Sequence, residues 1–543
     1  MFNLFHRLNL RGDILGGVTA AIVSLPLALT FGVASGLGPE AGLYGALLVG
    51  LFAAIFGGTP TLISEPTGPM TVLMTAVIAS LIAADPENGL AMAFTVVMLA
   101  GVFQIIFGLL KLGKYITLMP YSVVSGFMSG IGCILIVMQI APALGQAAPG
   151  GGVIGTLTSL SDIFSNIHPA EFALFIVTLA MLFFTPKKLT KVIPAQLIAL
   201  VLVTIASIYF INGDDIRRIG EVSVSFPDMI MPTFTVSQWQ TMIVDALVLA
   251  MLGCIDSMLT SVIADNLTRT EHKSNKELIG QGIGNLASGL FGGLPGAGAT
   301  MGTVVNIQAG ARTAWSGVSR VLVLAVALFG AASLISTIPL ALLAAIAVKV
   351  GINILDWSFI KRAHKVSWQS TLIMYSVLLL TVLVDLMVAV GIGLFAANII
   401  IIEKLSRSQS KQIKAISDLD DELPLSERER QLLNSGKGKI LYFYLSGPMI
   451  FGVSKALSRE RSAIAEHDSV VIDLTDVSLI DDTISLSIEN MILEALESNK
   501  TVSVVCQSDT NKNKLCGMNK QLNASLFVNS REEALNIAIK GVV

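Results

Sequence analysis

LYGALLVGLFAAIFGG, residues 43–58, and LIGQGIGNLASGLFGG, residues 278–293, are the two stretches of sequence that decide the fold. They align without gaps, and six of their sixteen positions are identical, three of them glycine. Each copy continues into a short apolar segment interrupted by glycine or proline: EPTGPMTVLMT from residue 65 and PGAGATMGTVVN from residue 295. The same pattern at the same place in each half of the chain indicates an internal repeat.

Apolar runs of membrane-spanning length fill the chain before residue 405. Of 543 residues, 53% are hydrophobic and 13% are charged, whereas an ordinary soluble domain has about 25% charged residues. We expect fourteen spans, near residues 13–35, 40–58, 67–84, 90–110, 119–143, 169–185, 192–211, 240–265, 275–291, 299–309, 315–334, 338–355, 369–384 and 386–404. The second copy of the repeat lies seven spans after the first, so the two should run in opposite directions. Inverted repeats are typical of secondary transporters.

The basic residues predict the orientation of the chain in the membrane. Most lysines and arginines before residue 370, Arg320 among them, are assigned to the side of the N-terminus, whereas Arg217 and Arg218 fall opposite. Lys349 is the one basic residue that we place deep inside a span. Because lysine and arginine concentrate in cytoplasmic loops, we expect both termini in the cytoplasm.

The composition also predicts the domain organisation. Residues 1–405 should form an all-α polytopic transport domain, residues 406–436 a polar linker, and residues 437–543 a small soluble α/β domain. A net charge of −3 suggests no nucleic-acid partner, and the four cysteines lack metal-ligand spacing. No nucleophile–base pair or phosphate loop is apparent in the sequence, so we do not expect an enzyme.

The interrupted segments at residues 66–70 and 296–301 are the predicted substrate site. Broken helices in corresponding positions of two repeats bind substrate in many transporters. Glycine and proline stop the preceding helix, so each segment should begin a new helix inside the membrane. The first N–H groups of a helix are free and lie at the positive end of its dipole. Two such ends facing each other predict an anion site that needs no basic side chain.

Asp256, in LGCIDSMLTSVIAD, is an acidic residue within a predicted span. A carboxylate in the membrane is costly and usually faces a cavity or a partner. A basic side chain, a proton or a metal cation could be that partner, and basic residues are nearly absent from the predicted spans. Thr260 lies four residues on, on the same helix face. We therefore expect a cation held by oxygens of Asp256, Thr260, Thr300 and the carbonyls near Gly298.

Three other acidic residues are predicted to have ordinary roles. Glu65 should be a solvated loop residue at the cytoplasmic approach to the first break. Asp13 should start a helix at the membrane interface, and Asp265 should form a charge pair with Arg269 at a helix end.

At these residues the chain resembles the SulP family of anion transporters over essentially its full length, and its C-terminal part is similar to a STAS domain. The resemblance rests on GGVTAAIVSLPLALTFGVASGLGPEAGLYGA near the N-terminus, on EPTGPM, and on LTRTEHKSNKELIGQGIGNLASGLFGGLPGAGAT. Within the family, IDSMLTSVIADNLTRTEHKSN and GAGAT are most similar to the sodium-dependent bicarbonate transporters of cyanobacteria. The resemblance implies a bacterial inner or plasma membrane protein, a seven-plus-seven inverted-repeat fold with core and gate domains, a homodimer, and elevator-like alternating access.

The resemblance also implies which residues bind the ions. Phe31, Thr67, Gly68, Ala299 and Thr300 would line the anion pocket, and Asp256, Thr260, Gly298 and Thr300 would bind co-transported Na⁺. The sodium ligands coincide with the cation ligands predicted from the residues alone. Many animal members have an arginine at the position of Gly302, where this chain has no positive side chain.

In the STAS-like domain, the turn before a helix reads Asp481-Asp482-Thr483-Ile484, where bacterial anti-sigma antagonists have Asp-Ser-Ser-Gly. Thr483 is therefore a candidate regulatory phosphorylation site. The absence of the serine and the glycine favours a structural or dimerising role for this domain instead.

These observations predict secondary active, Na⁺-dependent bicarbonate uptake by symport across the lipid bilayer. The alternative within the same family is H⁺- or Na⁺-coupled transport of sulfate or a dicarboxylate. A different class of function is a membrane-tethered regulator with the C-terminal domain as its output. The paired breaks and Asp256 argue against that class, because both lie in the membrane domain.

Overall fold

A computed structural model describes residues 3, 9–116, 120–186, 189, 194–211, 215–220, 227–330, 332–384, 386–410, 413–417, 423–450, 453–454, 457, 461–518 and 524–542. The chain forms two compact units, Met1–Phe395 and Ala396–Val543. The first is almost entirely helical, and the second combines helices with a sheet.

The helices of the first unit coincide with the predicted apolar runs, and each of the fourteen predicted spans contains a helix. In chain order they are α1 Leu10–Ser35, α2 Pro39–Phe56, α3 Gly68–Ala84, α4 Gly89–Leu109, α5 Gly113–Ile116, α6 Tyr121–Met138, α7 Ile140–Ala143, α8 Gly152–Thr158, α9 Leu160–Ser165, α10 Pro169–Phe184, α11 Ala195–Phe210, α12 Trp239–Thr268, α13 Ser274–Leu290, α14 Thr300–Gln308, α15 Trp315–Gly330, α16 Ala332–Ile335, α17 Leu340–Ile354, α18 Trp357–Arg362, α19 Trp368–Leu383 and α20 Leu386–Ser410. The last of these contains the boundary between the two units.

Length and composition mark several of these helices as membrane-spanning. Within the described residues, six helices are long and apolar enough to cross a membrane, or seven if the bent pair Leu340–Ile354 and Trp357–Lys365 is one span. The shorter apolar helices are α3, α10, α11, α15 and α19. That the chain crosses the membrane fourteen times stays a prediction, because the broken and short helices are not individually long enough to cross it.

The two copies of the repeat pack directly against each other through their shared glycines. A Cβ atom on Gly280 would lie 2.5 Å from the backbone nitrogen of Gly57, and one on Gly293 would lie 2.7 Å from that of Gly45. The start of each copy therefore contacts the end of the other, so the copies run in opposite directions, as the repeat predicts. Glycine at these positions lets two backbones approach closely.

The second unit contains a sheet with helices around it. The two short strands β1 Ser64–Glu65 and β2 Ala297–Gly298 belong to the first unit. The sheet of the second unit has the strand order β3 Ile413–Ile416, β4 Ile440–Met449, β5 Ser469–Ile480, β6 Thr501–Val505 and β7 Phe527–Val528. Strand β3 is antiparallel to β4, and the remaining neighbours are parallel. The helices are α21 Glu427–Ser435, α22 Asp482–Glu497, α23 Asp509–Met518 and α24 Arg531–Val542. The α/β fold predicted for residues 437–543 is confirmed. Strand β3 and helix α21 lie within residues 406–436, the predicted linker.

Candidate functional site

The two predicted breaks meet at the centre of the first unit. Residues Ser64–Glu65 form strand β1 and Ala297–Gly298 form strand β2, and the two strands pair antiparallel. The backbone N–H of Ala299 also donates to the carbonyl of Ile63 at 2.8 Å. Each strand ends directly before a helix, α3 at Gly68 and α14 at Thr300. The prediction that each break begins a helix is therefore confirmed.

Neutral side chains hold the second break in place. Asn285 Oδ1 accepts a hydrogen bond from the backbone N–H of Gly296 at 2.7 Å, and Asn285 Nδ2 donates to the carbonyl of the same residue at 2.9 Å. Ser257 Oγ accepts from the N–H of Gly298 at 3.0 Å. These bonds satisfy backbone groups that lose their helical partners where the helix is interrupted.

A cavity of about 470 Å³ lies where the two helices begin. It is lined by Leu27, Phe31, Glu65, Pro66, Thr67, Gly68, Pro69, Met128, Asp256, Gly298, Ala299, Thr300, Met301, Val304, Val305, Val350, Asn353 and Ile354. Every residue predicted to line the anion pocket or to bind Na⁺ is in this set, apart from Thr260. Sequence reasoning did not find Asn353, an exposed polar residue in the last turn of α17. No periodicity or charge distinguishes this asparagine in the sequence.

The predicted cation ligands converge on one side of the cavity. Thr260 is fully buried, and its hydroxyl donates to the carbonyl of Gly298 at 2.8 Å and lies 2.9 Å from Thr300 Oγ1. Asp256 lies one helical turn before Thr260 and lines the cavity itself. A carboxylate, two hydroxyls and a carbonyl are hard oxygen donors, which suit a hard cation. Within the described part of the chain, no group of three or more His, Cys, Asp or Glu side chains could hold a metal ion.

Two polar atoms at this cavity lack hydrogen bonds. Asp256 is 8% exposed and Thr67 is 8% exposed. Thr67 lies beside the Asp256 carboxylate, but neither Asp256 Oδ2 nor Thr67 Oγ1 has a hydrogen bond of good geometry with any described residue. Because leaving buried polar atoms unpaired is costly, two adjacent atoms of this kind at the cavity are available to each other or to a ligand.

The prediction that Glu65 is a solvated loop residue is wrong. Its side chain is 2% exposed, and Glu65 Oε2 accepts a hydrogen bond from Arg320 Nη2 at 2.5 Å. Arg320 was counted among the basic residues on the cytoplasmic side, but it is fully buried within helix α15. Lys349 is therefore not the one deep basic residue; its ammonium lies 3.8 Å from the centre of the Phe183 ring. The sequence does contain a signal for the burial of Arg320: this residue lies five positions after the start of the apolar helix, not ahead of it.

Two other acidic residues have partners that the sequence did not reveal. Asp13 lies in the first turn of α1, as predicted, but it is fully buried and accepts hydrogen bonds from the backbone N–H groups of Arg312 and Thr313 at 2.7 and 2.9 Å. Asp265 lies 2.6 Å from His272 Nδ1, while Arg269 ends helix α12 in a left-handed conformation. Both carboxylates thus bind segments that are distant or folded back in the chain, which local sequence spacing does not reveal.

Thr483 lies in the second unit, exposed in the first turn of α22. Asp481 caps this helix by accepting from the N–H of Ile484 at 2.8 Å. The core of the same unit contains a Tyr442 hydroxyl that donates to Asp473 at 2.8 Å. Burial, together with the Asp473 carboxylate, raises the pKa of Tyr442, so the phenol keeps its proton. Nothing in this arrangement assigns a regulatory role to Thr483.

Comparisons with known proteins give the family. Residues 10–377 match the sulfate permease family and residues 433–532 match the STAS domain. The chain is 59% identical over 546 residues to the bicarbonate transporter BicA of Picosynechococcus sp., covering 99% of this chain and 96% of the relative. It is 59% identical over 543 residues to BicA of Synechocystis sp., with 99% and 96% covered.

A solved structure of the transmembrane domain of a cyanobacterium bicarbonate transporter BicA is also similar. It has a TM-score of 0.68 and 64% sequence identity, and it covers 72% of this chain and 100% of that chain. The resemblance inferred from the motifs is confirmed, and so is the expectation that the chain is not an enzyme. The chain belongs to the sulfate permease family, as a membrane transporter of anions that carries a C-terminal STAS domain.

Proposed function

We propose that the chain takes up bicarbonate together with Na⁺ by secondary active symport. The observation that carries this proposal is the Asp256 carboxylate, which lines the cavity with one oxygen unpaired, next to Thr260, Thr300 and the carbonyl of Gly298. These oxygens are suited to Na⁺. The free helix starts at Gly68 and Thr300 offer backbone N–H groups to bicarbonate on the other side.

Electrostatics favours carrying a cation with the anion. Moving one negative charge into a cell with a negative interior costs about 2.3 kcal/mol per 100 mV. One Na⁺ moving with one bicarbonate cancels this cost and adds the energy of the sodium gradient. Within the cavity, the cation also offsets the repulsion between the Asp256 carboxylate and the incoming anion. Each ion should therefore increase the affinity for the other by the same factor.

The charges that line the cavity support a monovalent anion. The lining contains two carboxylates, Asp256 and Glu65, and Glu65 is neutralised by Arg320. One uncompensated carboxylate needs one cation. With that cation bound the lining is neutral, so the loaded site carries the charge of the anion alone: one negative charge for bicarbonate and two for sulfate, which costs more in a site of low dielectric. This count favours bicarbonate over sulfate or a dicarboxylate, the alternative cargo.

Uptake by the purified protein in proteoliposomes tests the proposal. With ¹⁴C-bicarbonate outside and a low-sodium interior, we expect uptake to fall to the level of protein-free vesicles when external Na⁺ is replaced by choline. Competing sulfate should leave the uptake unchanged. Unchanged uptake without Na⁺, together with stimulation by an inward proton gradient, would instead favour H⁺ coupling.

Further parts of the proposal rest on the family resemblance and on the distribution of the basic residues. We infer a homodimer to which the STAS domain contributes, with the N- and C-termini in the cytoplasm of a bacterial cell. We also infer elevator-like alternating access, in which a core domain carries the ions past a gate domain. Thr483 is retained as a candidate regulatory site within the STAS domain.

A further inference from the structure

Glu65 and Arg320 form a buried ion pair next to the cavity that the proposed transport cycle does not use. The guanidinium of Arg320 makes four hydrogen bonds: to Glu65 Oε2 at 2.5 Å, to the carbonyls of Ala46 and Ser64 at 2.9 and 3.0 Å, and to Ser24 Oγ at 3.1 Å. These partners belong to α1, α2 and the first break. An arginine with so many partners is held in one position.

The packing around Arg320 is tight. A Cβ atom on Gly50 would lie 2.3 Å from Arg320 Nη1, so only glycine at this position leaves room for the guanidinium to reach the carbonyl of Ala46. Arg320 has no exposed surface, whereas its partner Glu65 lines the cavity. Glu65 therefore faces the cavity, and Arg320 lies behind it.

This order matters for the ions in the cavity. Without Arg320, Asp256 and Glu65 would give the lining two negative charges, which repel an anion and attract a second cation. Without the charge of Glu65, Arg320 would add a positive charge that does the reverse. Charges in a site of low dielectric act over several ångströms, so both changes reach the ions without direct contact.

We propose that the Glu65–Arg320 pair sets the net charge of the cavity and thereby the balance between anion affinity and cation affinity. The pair acts through the field at the site, and both members are positioning residues rather than ligands. The inference deepens the proposed function, on which it rests, because it explains why the lining leaves a single carboxylate for a single cation.

Glu65→Gln is the most direct test. The glutamine side chain has the size of the natural one and keeps an oxygen that can accept from Arg320, so the fold of the break should persist. We expect the KM for bicarbonate to fall about tenfold and the Na⁺ concentration for half-maximal uptake to rise about tenfold. A purely structural role would weaken both ions or neither.

Arg320→Met supplies the opposite perturbation. We expect the KM for bicarbonate to rise about tenfold and the half-saturating Na⁺ concentration to fall by a similar factor. The double variant, Glu65→Gln with Arg320→Met, should return both values toward those of the natural protein. Arg320→Lys keeps the charge but cannot reproduce all four hydrogen bonds, so both affinities should change less than in Arg320→Met.

Direct binding keeps the test independent of transport. If a variant does not transport, equilibrium binding of ²²Na⁺ to the purified protein gives the same sign of change. Parallel shifts of the two ions in Glu65→Gln, or no shift, would overturn the inference. Loss of Na⁺ dependence in the natural protein would overturn the proposed function instead, and the anion KM of Glu65→Gln would still test the pair.

Discussion

The two breaks have nearly the same backbone and quite different supports. Each interrupts a chain segment, pairs through β1 or β2, and begins a helix. The first break is held partly by a charged group: Arg320 donates to the carbonyl of Ser64 at 3.0 Å, beside the neutral Gln281, whose Nε2 donates to Ser64 Oγ at 2.6 Å. The second break is held by the neutral side chains of Asn285 and Ser257.

The difference indicates how an inverted repeat can acquire two functions. Symmetry is retained in the main chain, where it creates two facing helix starts. The side chains around the two breaks are not symmetric. An anion and a cation need opposite environments, which symmetric side chains would not provide. The neutral supports of the second break leave Asp256 as the uncompensated charge of the cavity lining, which the proposed function assigns to Na⁺.

Removing the charge on the cation side should have the largest effect. For Asp256→Asn we expect Na⁺-dependent bicarbonate uptake to fall about a hundredfold, since a neutral amide cannot compensate a cation in a site of low dielectric. Uptake assays over a range of Na⁺ concentrations measure this. As a control, cell fractionation should show that the variant still inserts into the membrane. Normal sodium dependence in this variant would remove Asp256 from the cation site.

Filling the anion side should come next. For Thr67→Leu we expect the efficiency of bicarbonate uptake to fall about thirtyfold, because the larger apolar side chain occupies the cavity where the hydroxyl now lies unpaired. Thr67→Ser is the matched control and should retain most activity. The informative readout is the KM for bicarbonate at saturating Na⁺. A variant with the KM of the natural protein would place the anion elsewhere.

Replacing a neutral ligand should have the smallest effect of the three. For Thr260→Val, which keeps the shape of the side chain, we expect the half-saturating Na⁺ concentration to rise about tenfold, since one oxygen ligand and its bond to the carbonyl of Gly298 are lost. Thr260→Ser should restore the value. If both variants bind Na⁺ like the natural protein in equilibrium measurements, Thr260 only supports the second break.

Much of this arrangement can be predicted from the sequence. The repeat, the two helix starts and the grouping of Asp256, Thr260 and Thr300 follow from local patterns: glycine spacing, proline and glycine breaks, and one acidic residue in an apolar run. Each signal lies within one segment of the chain. The α/β character of the STAS domain can be predicted in the same way, from short apolar strand-like runs with a helical pattern between them.

The buried charges could not be predicted in this way. Glu65 and Arg320 are 255 residues apart, and each stands beside residues typical of a loop or a helix start. Asp13 binds backbone groups 299 and 300 residues away. A charged residue near the end of an apolar run looks solvated unless its partner is known, and only the folded chain brings such partners together.

The pairing of β1 with β2 has a consequence for how such transporters can diverge. Because the ladder joins main-chain atoms of Ser64, Glu65, Ala297 and Gly298, side chains outside it, such as those of Thr67 and Asp256, contribute no bond to it. On the proposed function, substitutions at these two positions change which ions bind while the pairing stays in place. Single replacements can thus alter ion preference and leave the main-chain frame of the site as it is.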